Sequence, residues 1–238
     1  MCANYSFFIR KQFHSNNSIR QKSVGVFTFF TTIIYQKIIK KFDKCWVPDF
    51  KDNFLSGKLS KTNNKKVALK YIGALSRFKK EELPRKKDVL IILSGIELQR
   101  KLLETKLLEA FENTTQKGVL VQGKIKKNQT KKVFGNTTIY NYLLSKELEK
   151  EINQSEVIIC RSGYSSIMDL AVLQKKAFFI PTKNQTEQEY LANYLKARKC
   201  APFCVEKNFS LDTLKEVNNY KGVSYERNKL DKGLLSLF

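Results

Sequence analysis

The stretch from Val157 to Ala192, VIICRSGYSSIMDLAVLQKKAFFIPTKNQTEQEYLA, leaves this chain few choices of fold. Val157 to Cys160 is a short apolar run that stops at Arg161-Ser162-Gly163, the pattern of a strand buried on both faces. Ser165 or Ser166 then caps a helix whose residues Ile167, Leu170, Ala171 and Leu173 share roughly one side. A second apolar run, Ala177 to Ile180, ends at Pro181, and a polar loop over Thr182 to Glu187 feeds another helix near Gln188. Two strands that each feed a helix make a βαβ unit, and in open α/β sheets ligands sit at the carboxyl ends of strands beside helix N-termini. Both loops fall at that edge and bring Ser162, Gly163, Ser165, Asp169, Thr186, Glu187, Gln188 and Glu189 to it.

On the segments CRSGYSSIMDLA and IPTKNQTEQEYLANYL the chain resembles the nucleotide-sugar-binding half of GT-B glycosyltransferases of the family-28 C-terminal-domain type. That group includes the transferase that adds N-acetylglucosamine to the lipid-linked peptidoglycan precursor. The likeness runs more weakly from about Phe42 through Leu195. It implies that Arg161, Ser162, Gly163, Ser165 and Ser166 face a UDP diphosphate, and that the acidic residue on the following helix, Asp169, takes the ribose hydroxyls. It also implies that Gln185, Thr186, Glu187, Gln188 and Glu189 form the loop that meets the sugar. Asp169 stands where the peptidoglycan enzyme has Glu, and Glu189 where it has Gln. The physical chemistry agrees: a diphosphate wants backbone N–H groups and a helix dipole, glycine allows close approach, and a carboxylate accepts two vicinal hydroxyls. Taken singly, Gly163 reads equally as an ordinary turn, Asp169 as a solvated helix residue and the Gln/Glu run as an exposed helix start; strands on both sides favour the joint site.

The rest of the chain extends the same plan. Asp88 to Gly95, DVLIILSG, is a buried strand ending in a second Ser-Gly turn, Ser94-Gly95, and a helix follows over Glu97 to Phe111 with Leu98, Leu102, Leu103, Leu107 and Leu108 on its apolar side. Arg100 in its first turns either reaches a phosphate with its planar fork or is a solvated helix residue. Gly118 to Gly123 is the next strand, Lys124 to Lys132 a basic polar loop, and Asn136 to Leu143 another strand and loop. By the resemblance, Tyr142 and Leu143 frame the uracil with backbone groups. A helix over Ser145 to Gln154 leads back to Val157, so strands alternate with helices and predict a Rossmann-like, doubly wound parallel sheet. Phe203 to Val205 reads as a short edge strand and Ser210 as the cap of a helix over Leu211 to Val217.

Upstream, VGVFTFF and TTIIYQKIIKKF between Ser23 and Phe42 read as a strand and a helix with a basic edge. Cys45-Trp46-Val47 is a short strand stopped by Pro48, and Lys79 to Lys87 is a charged linker around Pro84. The expected division is an acceptor-side remnant over residues 1–45, a crossover and linker over 46–87, and the nucleotide-sugar domain over 88–238.

Composition narrows the functions. The net charge is +22, with the basic excess concentrated up to Lys87. Charge alone raises nucleic acid or an anionic membrane as partners, but no nucleic-acid recognition motif supports the first. Cys2, Cys45, Cys160, Cys200 and Cys204 show no metal spacing, and their odd count suits a reducing cytosol. There is no clean signal peptide and no spanning helix, so a cytoplasmic protein is expected, peripheral at the inner face of the membrane if the N-terminal segment lies on it. His14, the sole histidine, invites a general-base reading, but no motif surrounds it.

Two functions from different classes stand. One is an enzyme that passes a sugar, a hexosamine such as N-acetylglucosamine, from a UDP-sugar co-substrate to a lipid-linked or saccharide acceptor by direct displacement. Neither cofactor nor metal is expected, and no catalytic residue is assigned. The other is a donor-binding subunit, or a shortened inactive remnant, that needs a partner chain. The apolar residues Val26 to Ile34 would then contact that partner or a membrane.

Overall fold

In the computed structural model the described residues are 45–52, 54–61 and 69–224. His14 and the predicted strand and helix between Ser23 and Phe42 lie outside them, as do the residues after 224. The chain divides into two compact units, residues 1–74 with 229–238, and residues 75–228.

In the first unit, β1 (Cys45–Val47) pairs in parallel with β2 (Leu69–Tyr71). The loop after β1 is organised by one fully buried carboxylate. Asp49 accepts the backbone N–H groups of Phe50, Leu55 and Ser56 at 2.7, 3.0 and 3.0 Å and the hydroxyls of Ser56 and Ser60. Burial pushes its pKa up and these donors pull it back. Phe54, Leu55 and Leu59 pack beneath the loop.

The second unit is built on a six-stranded sheet. Its strands are β3 (Lys87–Ile92), β4 (Gly118–Val121), β5 (Lys131–Phe134), β6 (Thr137–Tyr140), β7 (Ser155–Cys160) and β8 (Lys176–Phe179), in the order β5-β6-β4-β3-β7-β8. Every neighbouring pair is parallel except β5 with β6. Register explains why the strands read as unbroken apolar runs. Leu120, Ile91, Ile159 and Phe178 line up across the sheet on one face, and Val119, Leu90, Ile158 and Ala177 on the other. All eight are buried, as a sheet covered by helices on both faces requires.

Among the described residues the α-helices are α1 (Glu97–Phe111), α2 (Ser145–Gln154), α3 (Tyr164–Leu173), α4 (Thr186–Ala197) and α5 (Leu211–Lys215). Leu103, Leu107 and Phe111 of α1 join Ile91, Ile159, Phe178, Phe209, Leu214 and Val217 in one core cluster. From β3 the chain winds one way to β4, while β7 and β8 lie on the other side of β3. The order therefore reverses between β3 and β7, and ligands in such sheets sit in the crevice at the carboxyl ends of the strands flanking that point. The expected Rossmann-like, doubly wound α/β fold is the one observed.

Several local expectations need correction. The α1 leucines do not share one side: Leu98 is 69% and Leu102 60% exposed, because the helix turns Leu103, Leu107 and Phe111 to the sheet. Gly163, not Ser165 or Ser166, is the N-cap of α3. Phe203 makes only an isolated bridge to Phe179 beside β8, with Phe179 N–H donating to Pro202 O and Cys204 N–H to Phe179 O. The basic segment ending at Lys132 runs into the antiparallel hairpin β5-β6, turned by Gly135 at φ +52°. Its exposed lysines hid the strand pattern. The charged linker is part of the second unit: Asn153 donates to Lys79 O and accepts from Glu81 N–H, and Glu149 accepts from Lys79 N–H.

Candidate functional site

The carboxyl ends of β3, β7 and β8 carry Ser94-Gly95, Arg161-Ser162-Gly163 and the loop 182–185. At β7 the chain passes straight from strand to helix. Gly163, at φ −74°, caps α3, and Ile167 N–H makes the first helical bond back to Gly163 O at 3.0 Å. A Cβ built on Gly163 meets nothing within 4 Å, so among the described residues there is open space beside this N-cap. Ser165 stands exposed and Ser166 half-buried in its first turn. Ser162 is buried, and its hydroxyl donates to Gln188 O at 2.7 Å. This bond brings the Ser-Gly turn and the Gln/Glu loop together as the sequence suggested.

The Gln/Glu loop is braced by its own side chains. Gln188 Oε1 accepts from Thr182 N–H at 2.9 Å and its Nε2 donates to Gln185 Oε1 at 2.6 Å. Glu189 accepts from Asn184 N–H at 3.0 Å, holding Asn184 at φ +65°. Thr186 and Glu187 open α4, where Glu187 and Glu189 also suit the positive end of the helix dipole.

Arg161 is turned inward and is 2% exposed. Its guanidinium donates to Ile180 O and Pro181 O at 3.0 and 3.2 Å, to Gln99 O at 3.4 Å and to Glu206 at 3.2 Å. Burial lowers its pKa, and Glu206 acts the opposite way. The side chain thus ties the end of β7 to the β8 loop, to α1 and to the turn at Glu206–Asn208. Arg100 behaves similarly on a smaller scale: it donates to Gly123 O at 3.0 Å. Gly123 sits at φ +67°, where a Cβ would stand 2.6 Å from Leu93 O. Ser94 and Gly95 are exposed, and Gly95 adopts φ +95°.

Asp169 lies further along α3. Its carboxylate accepts the Ser76 hydroxyl at 2.6 Å. Burial raises its pKa, while the Ser76 bond and the positive charge of Arg77 lower it. Cys160 at the end of β7 has its thiol pushed up to about 12 by burial and then by the Asp169 charge, so it is an inert core thiol.

The segment expected to frame a base is held from behind. Asn141, buried at the end of β6, accepts from Thr130 N–H and Tyr142 N–H at 2.8 and 3.0 Å and donates to Asn128 O at 2.9 Å. Gln129 donates to Tyr142 O and to Glu147, whose carboxylate also accepts from Leu144 N–H. Leu143, next to Tyr142, is half-buried. Asn141, Gln129 and Ser76 were missed in the sequence; a lone Asn directly after the strand residues TTIY is the one signal that could have flagged Asn141. Among the described residues no group of three His, Cys, Asp or Glu side chains is placed to hold a metal ion, and no helix is long and apolar enough to cross a membrane.

Comparison with known proteins bears on the family and the fold. Residues 89–220, more than half of the chain, match the model of the glycosyltransferase family 28 C-terminal domain. The chain is 26% identical over 208 residues to a UDP-N-acetylglucosamine–N-acetylmuramyl-(pentapeptide) pyrophosphoryl-undecaprenol N-acetylglucosamine transferase of Sulfurihydrogenibium sp. strain YO3AOP1. That alignment covers 85% of this chain and 54% of the relative, so the chain spans about half the length of the curated transferase it matches. Among solved structures, the glycosyltransferase of kitacinnamycin superposes with TM-score 0.56 at 15% identity, covering 83% of this chain and 54% of that one. The calicheamicin glycosyltransferase CalG4 superposes with TM-score 0.53 at 11% identity, covering 89% and 59%. These two likenesses bear on the fold.

Proposed function

Starting from the fact that the chain belongs to the glycosyltransferase family 28 C-terminal-domain family, we propose that it binds a UDP-sugar at the carboxyl edge of its sheet and serves the transfer of that sugar, a hexosamine such as N-acetylglucosamine, to an acceptor. The observation that carries this reading is the Ser162–Gln188 bond beneath an open helix N-terminus. It ties the turn before α3 to the start of α4, next to the Gln185–Glu189 run.

In this reading the diphosphate sits over Gly163, Ser165 and Ser166, where backbone N–H groups and the helix dipole favour negative charge. Charge on the diphosphate grows as the anomeric bond breaks, so donors fixed in advance lower the barrier of direct displacement. Asp169 accepts ribose hydroxyls. Tyr142 and Leu143 meet the base through backbone groups held by Asn141 and Gln129. Gln188 and Glu189 are held by bonds within their loop, and the second N–H of Gln188 and the remaining acceptor sites of Glu189 would meet the sugar. Arg161 and Arg100 act as braces behind the site, not as phosphate ligands. The relative's name includes a lipid-linked acceptor; the same chemistry here would place the reaction at the inner face of a membrane.

UDP at millimolar concentration should raise the thermal midpoint, since a ligand that binds the native state stabilises it. Asp169→Ala should weaken UDP binding by about 1–3 kcal/mol, the range for hydrogen bonds to a charged group. Absence of any shift in the wild-type protein would remove the donor-site reading. Radiolabelled UDP-sugars offered with lipid and saccharide acceptors then test transfer itself.

A further inference from the structure

The residue that fixes the ribose-facing carboxylate lies far from it in sequence. Ser76 belongs to the segment that enters the second unit just after its boundary at Leu75. Its hydroxyl has both of its roles assigned. The oxygen accepts Phe78 N–H at 3.0 Å, and the proton goes to Asp169 Oδ1 at 2.6 Å. The hydroxyl thus accepts from a backbone amide of its own segment while its proton is given to the carboxylate. Phe78 is itself buried, and the Arg77 guanidinium lies over its ring at 4.8 Å. Directly after it, Lys79 is tied to Glu149 and Asn153 of α2. The donor is therefore mounted on a rigid segment.

We propose that Ser76 is a positioning residue for donor binding: it holds the Asp169 carboxylate in the orientation that receives the ribose hydroxyls. This rests on the donor-site reading above and adds to it a residue outside the βα loops. A carboxylate oxygen has room for two donors, so Oδ1 can keep the Ser76 bond while the carboxylate takes ribose. The alternative, a carboxylate free to rotate about its side-chain torsions, would lose affinity to ordering each time the nucleotide bound.

The charged and titratable surroundings make the role measurable. Arg77 from the entering segment and the Ser76 hydroxyl act on Asp169, and the Asp169 charge in turn raises the neighbouring Cys160 thiol on β7. Burial raises the pKa of Asp169, and Ser76 opposes that rise. Ribose recognition needs the ionised form, so affinity falls as pH drops through this raised pKa. Without the Ser76 donor the pKa rises further, and the loss begins at higher pH.

The test is titration calorimetry with UDP from pH 5 to pH 8 on the full chain, using wild type, Ser76→Ala, Ser76→Thr, Asp169→Asn and the double variant Ser76→Ala/Asp169→Asn. The expected result is an affinity about tenfold weaker for Ser76→Ala at neutral pH, the size of one charge-assisted hydrogen bond. Its acid limb should move to higher pH, and Ser76→Thr should restore both affinity and profile. Asp169→Asn should lack the acid limb, and adding Ser76→Ala to it should change little. A Ser76→Ala protein with wild-type affinity and profile overturns the proposal, as does an equal effect of Ser76→Ala in the Asp169→Asn background. A wild-type protein that does not bind UDP at all instead overturns the donor-site reading, and the Ser76 role with it.

Discussion

The second unit contains the same dipeptide twice, Ser94-Gly95 after β3 and Ser162-Gly163 after β7, on neighbouring strands at the reversal of the sheet. The two turns differ in almost every physical respect. Gly163 has an ordinary φ of −74° and caps its helix directly, with its serine buried and bonded across to Gln188 O. Gly95 adopts φ +95°, its serine is exposed, and Ile96 intervenes before α1. A Cβ at either glycine would meet nothing within 4 Å, but only at β3 does the backbone angle itself favour glycine. A Ser-Gly pair after a strand is thus not a unit of function. What separates the two turns is their alignment with the following helix and the side chains that lock them.

Three measurements would break or sharpen this contrast, in order of expected size. Arg161→Leu removes several charge-assisted hydrogen bonds behind the second turn and should lower stability in urea by about 3 kcal/mol or more. Arg100→Leu, behind the first turn, loses one bond to a carbonyl and should cost about 1 kcal/mol. Equal losses would mean that both turns are braced alike. Next, Gly163→Val should leave the thermal midpoint nearly unchanged while weakening UDP binding about a hundredfold, equivalent to about 2.7 kcal/mol. Gly95→Ala should do the reverse, losing about 1–2 kcal/mol of stability to left-handed backbone strain with a smaller change in UDP affinity. Tight UDP binding by folded Gly163→Val protein would dismiss the phosphate-loop assignment. The smallest contrast is between the serines: Ser162→Ala should cost about 1 kcal/mol and Ser94→Ala no more than about 0.5 kcal/mol in thermal unfolding.

Much of the fold was legible because a parallel sheet covered on both faces needs continuous apolar strands, and Val157–Cys160 and Leu90–Ile92 are such runs. Gly and Pro punctuation then marked their ends. The helix over Glu97 to Phe111 was located to the residue, yet its inward face was not, since leucines occur on both sides and only packing decides between Leu102 and Leu103. Sequence placed the two βα loops of the β7-β8 unit at one edge of the sheet, and the Ser162–Gln188 bond joins them. It could not show that Arg161 points into the protein, because an arginine at a strand end serves equally as a phosphate ligand or as a clamp for carbonyls. Nor could it find Ser76, which meets Asp169 across 93 positions, a separation no local pattern encodes.

The sheet's two margins carry a consequence for how this basic chain behaves in a crowded solution. At β8 the ladder is shielded by the backbone of Pro202 to Cys204. At β5 the outer rim is a short strand whose Lys131, Lys132 and Val133 are exposed, with Lys131 Nζ over the Tyr140 ring at 5.8 Å. An unshielded strand is a template on which another molecule can add its own strand, and lysines along it repel a like-charged copy before the backbones meet. Among the described residues no strand pairs with the outer edge of β5, so the positive charge of Lys131 and Lys132 lies where it would oppose strand addition by a like-charged copy. Neutralising those two lysines to improve crystallisation or to reduce basicity would remove that repulsion from the β5 edge.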